Sequence, residues 1–186
     1  LQTGRPNACN LCHLDKTLDW TAEHLAKRTG KLKPEVPAIH KTTAASAVWL
    51  LNGDAGQRAL AAWHMGWEPA RQSSGDNWQS GWLLRIMNDP YSAIRYIAHK
   101  SLLADPRLAK TALDYTAPMA KRTQQIQDAQ AAWEKQLPDQ TGAAQQIELL
   151  IDNRGKPIEA QAKRFENQRN NRPMTLQECT NHRHPA

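Results

Sequence analysis

The chain is short of cysteine and phenylalanine, with three of the first and one of the second among 186 residues. Three cysteines cannot make the two Cys pairs of a common zinc module. No apolar run approaches the roughly 20 residues needed to cross a bilayer, and no secretory leader is recognisable. No stretch shows the sustained apolar–polar alternation of a strand. The Gly-x-Ser-x-Gly, His-Glu-x-x-His and phosphate-loop patterns are missing, so no familiar hydrolase or nucleotide site is signalled. Carboxylates are present but unpatterned. Lys and Arg (24) exceed Asp and Glu (18), for a formal charge of +6. These cations are scattered, without the aromatic-interleaved basic pattern of RNA-binding strands, so no nucleic-acid partner is expected. A basic surface suits docking to an acidic protein or an anionic surface instead.

Two of the three cysteines stand together, in Cys9-Asn10-Leu11-Cys12-His13. This is a C-x-x-C-H sequence, the attachment signal of a c-type haem. Thiols three positions apart share one local turn and can form thioethers with the two vinyl groups of one haem. The histidine that follows lies under the iron and supplies the proximal nitrogen. Two other readings of the pair stay open. A thioredoxin-type pair expects a preceding strand in a βαβ unit, and only eight residues precede Cys9. A zinc site would need Cys9, Cys12, the distant Cys179 and His182 together.

The rest of the chain reads as helices. Residues 17–28 form one, started by Asp15 or Thr17 and ended by Gly30, with Leu18, Ala22 and Leu25 on one face and Trp20 and His24 on the next. A loop with two prolines, 30–41, leads to His40. Helices are then expected over 44–51 and from 54 to about 65, the second burying Leu60, Trp63 or His64, and Trp67. A polar link, Glu68–Asp76, precedes helices over 77–88 (Trp78, Trp82, Ile86) and 91–104 (Ile94, Ile97, Leu102, flanked by Tyr91 and Tyr96). The two pairs share the layout of HEAT-type helical hairpins. Residues 105–119 connect them to a helix over 119–136 with Ile126, Ala129 and Trp133 buried. Further helices are expected over 141–151 and 158–169. Seven tryptophans are read mostly as packing between helices. The fold class is all-α: a haem turn, stacked helical hairpins, then C-terminal helices. The organisation is an attachment segment with its covering helix (1–41), hairpins (42–118), C-terminal helices (119–170) and an extended tail (171–186).

A low-spin electron carrier needs a second axial ligand, and histidine there gives a lower potential than methionine. The candidates are His24, His40, His64, His99, His182, His184, Met65, Met87, Met119 and Met174. His24 is only eleven residues past His13 on the adjoining helix, too short a path to reach the opposite side of the ring. His40 is preferred, because it follows an excursion long enough to cross the haem.

The run Pro6-Asn-Ala-Cys-Asn-Leu-Cys-His-Leu-Asp-Lys-Thr-Leu-Asp-Trp20 resembles a segment of large exported multihaem c-type cytochromes of bacteria. There a haem site of this form precedes a Trp-containing helix and HEAT- or TPR-like repeats. Residues 53–70 and 83–102 resemble the repeat part, and 171–176 its closing element, so the resemblance covers most of the chain. It implies a haem c held by Cys9 and Cys12, with His13 proximal and His40, at the start of the first repeat helix, distal. It also implies an extracytoplasmic, periplasmic location and a redox protein, or other haem domains of a parent protein, as partner. This chain has one haem motif where the family often has several, and it begins at Leu1, so it is expected to be the C-terminal piece of a longer protein. The leading expectation is one-electron transfer. The alternatives are a domain of a haem oxidoreductase, with an open iron or feeding another centre, and a helical-repeat scaffold in which haem is structural.

Overall fold

The computed structural model describes residues 4–138 and 147–172. Within them the chain is all-helical, with ten α-helices, one 3₁₀ turn and no strand. The first, α1 (Ala8–Cys12), is a single turn that carries both cysteines. Next comes α2 (Leu18–Thr29), with Thr17 Oγ1 accepting from the Trp20 amide at 3.0 Å at its start and Gly30 left-handed (φ 68°) at its end. Both ends match the chemistry expected of them.

A short turn, α3 (Ile39–Thr42), holds His40. The first hairpin is α4 (Ala45–Leu51) and α5 (Ala55–Met65), where Asp54 and Gln57 form a reciprocal capping box. The link 68–76 is not an open loop. It contains α6 (Glu68–Ser74), since Pro69 suits a first turn and Ala70, Arg71 and Gln72 are good helix formers. The second hairpin is α7 (Gln79–Ile86) and α8 (Ser92–Leu102). After turns through 103–118 come α9 (Met119–Glu134) and α10 (Glu159–Glu166).

Each hairpin packs helix against helix, and the broadest contact joins α5 of one to α8 of the other. That contact corrects the buried stripe expected on α5. Leu60, Trp63 and Trp67 are 40%, 57% and 41% exposed, and the buried side is Arg58, Ala61, Ala62 and Met65. Where the end of α5 meets α8 the approach is close: a Cβ added to Gly66 would come within 2.6 Å of Ser101. The stripes expected on α7 (Trp78, Trp82 and Ile86) and α9 (Ile126, Ala129 and Trp133) are buried, whereas on α2 Ala22 is buried and Leu25 is largely exposed. On α8, Ile94 and Leu102 are buried while Tyr96 is largely exposed.

The helix expected over 141–151 falls partly outside the described residues. Its end is not helical: Ile147–Leu149 is a 3₁₀ turn, Leu150 has a left-handed φ of 57°, and Ile151 pairs in an isolated bridge with Pro157. Leu149, Leu150 and Ile151 are nonetheless buried, so the apolar run closes the core without continuing a helix. The tail beyond 172 also lies outside the described residues.

One apolar cluster runs from Leu14, next to the C-x-x-C-H motif, through the hairpins to Ala162 on α10. At its edge is a buried ion pair. Arg58 Nε donates to Asp89 Oδ2 at 2.8 Å, and both side chains are fully buried. Arg58 also donates to the Gly53 carbonyl, and Tyr91's amide donates to Asp89 Oδ1. Arg169, following α10, lies 3.6 Å from Asp89 and donates to the Leu51 carbonyl. The C-terminal segment is therefore pinned to both hairpins by the same carboxylate.

Candidate functional site

The C-x-x-C-H motif is folded by its two asparagines. Asn7 caps α1, its Oδ1 accepting from the Asn10 amide at 3.0 Å, and its Nδ2 donates to Asn10 Oδ1. Asn10 is completely buried. Its Nδ2 donates to the Lys16 and Thr17 carbonyls (2.9 and 3.2 Å), and its Oδ1 accepts from Thr21 Oγ1 at 2.7 Å. This side chain thus fastens the cysteine turn to the start of α2. A buried amide with both ends satisfied is a specifying contact.

With Asn10 turned inward, Cys9 and Cys12 lie one helical turn apart, and both are half-buried free thiols. His13 ends the turn, its amide donating to the Cys9 carbonyl at 2.8 Å. Its backbone then leaves the helix at φ −95°, ψ 72°. The next residue, Leu14, is fully buried in the core. Two serines from distant helices reach this point. Ser74 Oγ, at the end of α6, accepts from the Leu14 amide at 2.8 Å and donates to the Cys12 carbonyl at 3.0 Å. Ser46 Oγ, on α4, donates to the Leu14 carbonyl at 2.5 Å.

The His13 ring is half-buried and rests against Trp20, with centroids 5.2 Å apart and planes tilted by 56°. Trp20 in turn packs on His24 at 4.2 Å. His24 Nδ1 bonds to the Trp20 carbonyl at 2.8 Å, which commits that nitrogen locally.

His40 belongs to a different grouping. It lines a cavity of about 720 Å³ with Leu18, Ala22 and Leu25 of α2, Val36 of the preceding loop, and Val48 and Trp49 of α4. Cys9, Cys12 and His13 do not line that cavity. The cavity is walled by the Leu18–Ala22–Leu25 face of α2, whereas His13 rests on the Trp20–His24 face. His40 Nδ1 is buried without a hydrogen-bond partner. Burial holds its pKa below the usual 6.5, so the ring is neutral at pH 7, the form that can ligate a metal. The structure therefore gathers Cys9, Cys12 and His13 on one turn and leaves His40 apart from them.

The remaining described candidates are scattered. His64 is bonded through Nδ1 to the Leu60 carbonyl and meets the edge of Trp67. His99 packs on Tyr115. Met65 and Met87 are core residues and Met119 is exposed. Cys179, Met174, His182 and His184 lie outside the described residues, so the zinc set that needs Cys179 and His182 does too. Among the described residues no three His, Cys, Asp or Glu side chains cluster to hold a metal ion.

The donor set of the turn fits a covalently attached haem. Two cysteines without a disulfide sit one turn apart, an imidazole follows directly, and all three side chains are half-buried. The sequence did not reveal the supports. Asn10 occupies a variable position of the motif, and Ser46 and Ser74 are ordinary serines on helices whose approach to residue 14 is visible only in three dimensions. No protein-family model, curated protein or solved structure matches this chain.

Proposed function

We propose that the chain is a c-type cytochrome domain of an exported protein, carrying one electron at a time. The observation that carries this reading is the Cys9–Cys12 turn, with both thiols free, closed by His13. Cys9 and Cys12 would hold the macrocycle through thioethers, and His13 would provide the axial nitrogen. When bound, the haem supplies a one-electron iron couple and the chain need provide no acid, base or nucleophile. The chain's own contribution is to fix His13: Asn10 locks the turn onto α2, and Leu14 anchors the next residue in the core. Haem c is attached outside the cytoplasm, which is why an extracytoplasmic, periplasmic site of action is proposed. The partner is then a redox protein or further haem domains of a parent protein.

His40 is retained as the proposed second axial ligand because its ring is neutral and its Nδ1 is unpartnered. A second reading, a haem oxidoreductase domain whose iron keeps one position open, is favoured by His40 lining a cavity that Cys9, Cys12 and His13 do not line.

Absorption spectra of oxidised and reduced protein, with and without carbon monoxide, test both. A six-coordinate low-spin haem that ignores carbon monoxide, and becomes reactive to it in His40→Ala, is the expected result. A haem that binds carbon monoxide in the unaltered protein selects the oxidoreductase reading. Protein matured in a haem c-attaching host without any bound haem contradicts both.

A further inference from the structure

A single hydroxyl spans the peptide groups on both sides of His13. Ser74 Oγ accepts from the amide of Leu14 and donates to the carbonyl of Cys12. A serine hydroxyl has one proton to give and lone pairs to receive, so both bonds form at once. The two bonded groups flank the His13 residue, and fixing both restricts the torsions that aim its imidazole.

Ser74 itself is well placed to act as an anchor. It is the last residue of α6, ahead of Gly75 at φ 76°. Its carbonyl accepts from Nε1 of the buried Trp78 at 3.1 Å. The clamp thus runs from the core of the second hairpin, through α6, to the backbone of the haem turn some sixty residues earlier. Leu14 is held from its other side by Ser46 of the first hairpin. Both hairpins therefore grip the residue after His13, while the ring remains half-exposed.

We propose that Ser74 is a positioning residue for the proximal ligand: it sets the orientation of the His13 imidazole and so couples the helical hairpins to the electronic state of the site. This rests on the haem-binding reading above. Axial ligation and its surroundings are among the protein's levers on a haem site. A clamp on the ligand's backbone acts on the first of them, by fixing the direction from which the nitrogen approaches.

The test is the ferric protein's NMR spectrum, in which haem-methyl shifts report the plane of the axial imidazole, together with its reduction potential. Unaltered protein, Ser74→Ala and Ser74→Thr are compared. Ser74→Ala is expected to move or split the methyl resonances and shift the potential, while keeping covalent haem and helical content. Ser74→Thr, which retains the hydroxyl, is expected to restore the original pattern. Methyl shifts and a potential unchanged in Ser74→Ala, with only a lowered melting temperature, would overturn the proposal and leave the haem reading intact. Unaltered protein without covalent haem would overturn the haem reading and this one with it. A second measurement needs no variant: the Leu14 amide should exchange with solvent far more slowly than exposed loop amides. Fast exchange there overturns the clamp whatever Ser74→Ala does.

Discussion

Asn10 shows what the C-x-x-C-H turn asks of the residue between its cysteines. Its amide meets two carbonyls, a hydroxyl and the Asn7 side chain inside a dry site. Asn10→Leu would leave several of those groups without partners, and about 3 kcal/mol of stability is expected to be lost. Denaturant melts of haem-free protein measure it. The thiols behave oppositely: Cys9→Ser with Cys12→Ser should abolish covalent haem and leave the helical circular dichroism unchanged, because neither sulfur is a core contact. Haem staining after denaturing electrophoresis reads the first effect. The motif was legible in the sequence because spacing alone defines it. Its supports were not, since hydrogen bonds from Ser46 and Ser74 depend on where α4 and α6 come to lie. His40 marks the same limit. Chain distance made it a plausible partner for His13, and the fold sets it on another face of α2.

At the scale of helices, periodicity served well where side-chain size and burial agreed. On α7 and α9 the apolar stripe is the buried face. On α5 it is not: Arg58, Ala61, Ala62 and Met65 are buried, and Leu60 and Trp63 face outward. Trp82→Ala should therefore cost about 4 kcal/mol, whereas Trp63→Ala, on the exposed side, should fall within about 0.5 kcal/mol of the parent. Thermal melts of the two variants separate these outcomes. The joint between hairpins and C-terminal segment depends on Arg58 and Asp89. Arg58→Met strands a buried carboxylate and should cost about 3–5 kcal/mol, and adding Asp89→Asn should recover part of that loss. A double-mutant cycle measures the coupling. None of this ion pair was apparent in the sequence, where Arg58 and Asp89 are two charges 31 residues apart.

For the whole molecule, displaced pKa values tie stability to pH, those of His99 and Asp105 among them. His99 has its pKa held below 6.5, first by burial and then by Lys100. Asp105 is pushed up by burial, but hydrogen bonds from Arg107 and Ser80 outweigh this and hold it below 3.8. In both cases the unfolded chain binds protons more readily than the folded one, so stability rises with pH. The His99 contribution is complete above about 6.5 and fades as pH falls through its lowered folded value. The Asp105 contribution persists to lower pH and is lost below about 3.8, as pH falls through its own lowered value. Asp105→Asn is expected to flatten the acid limb of the stability curve, as read by denaturation at a series of pH values. The charge of +6 also has a consequence for the proposed role: electron exchange with an acidic redox partner should slow as salt rises, since screening shortens the reach of surface charge.

If Cys9, Cys12 and His13 carry a haem, the mass of the intact, denatured protein matured in a haem c-attaching host will show it. A single species heavier than the polypeptide by one haem is expected, reduced to the bare polypeptide when both cysteines are replaced. A polypeptide of unmodified mass, or a native protein whose added mass is zinc and is lost on denaturation, would contradict it.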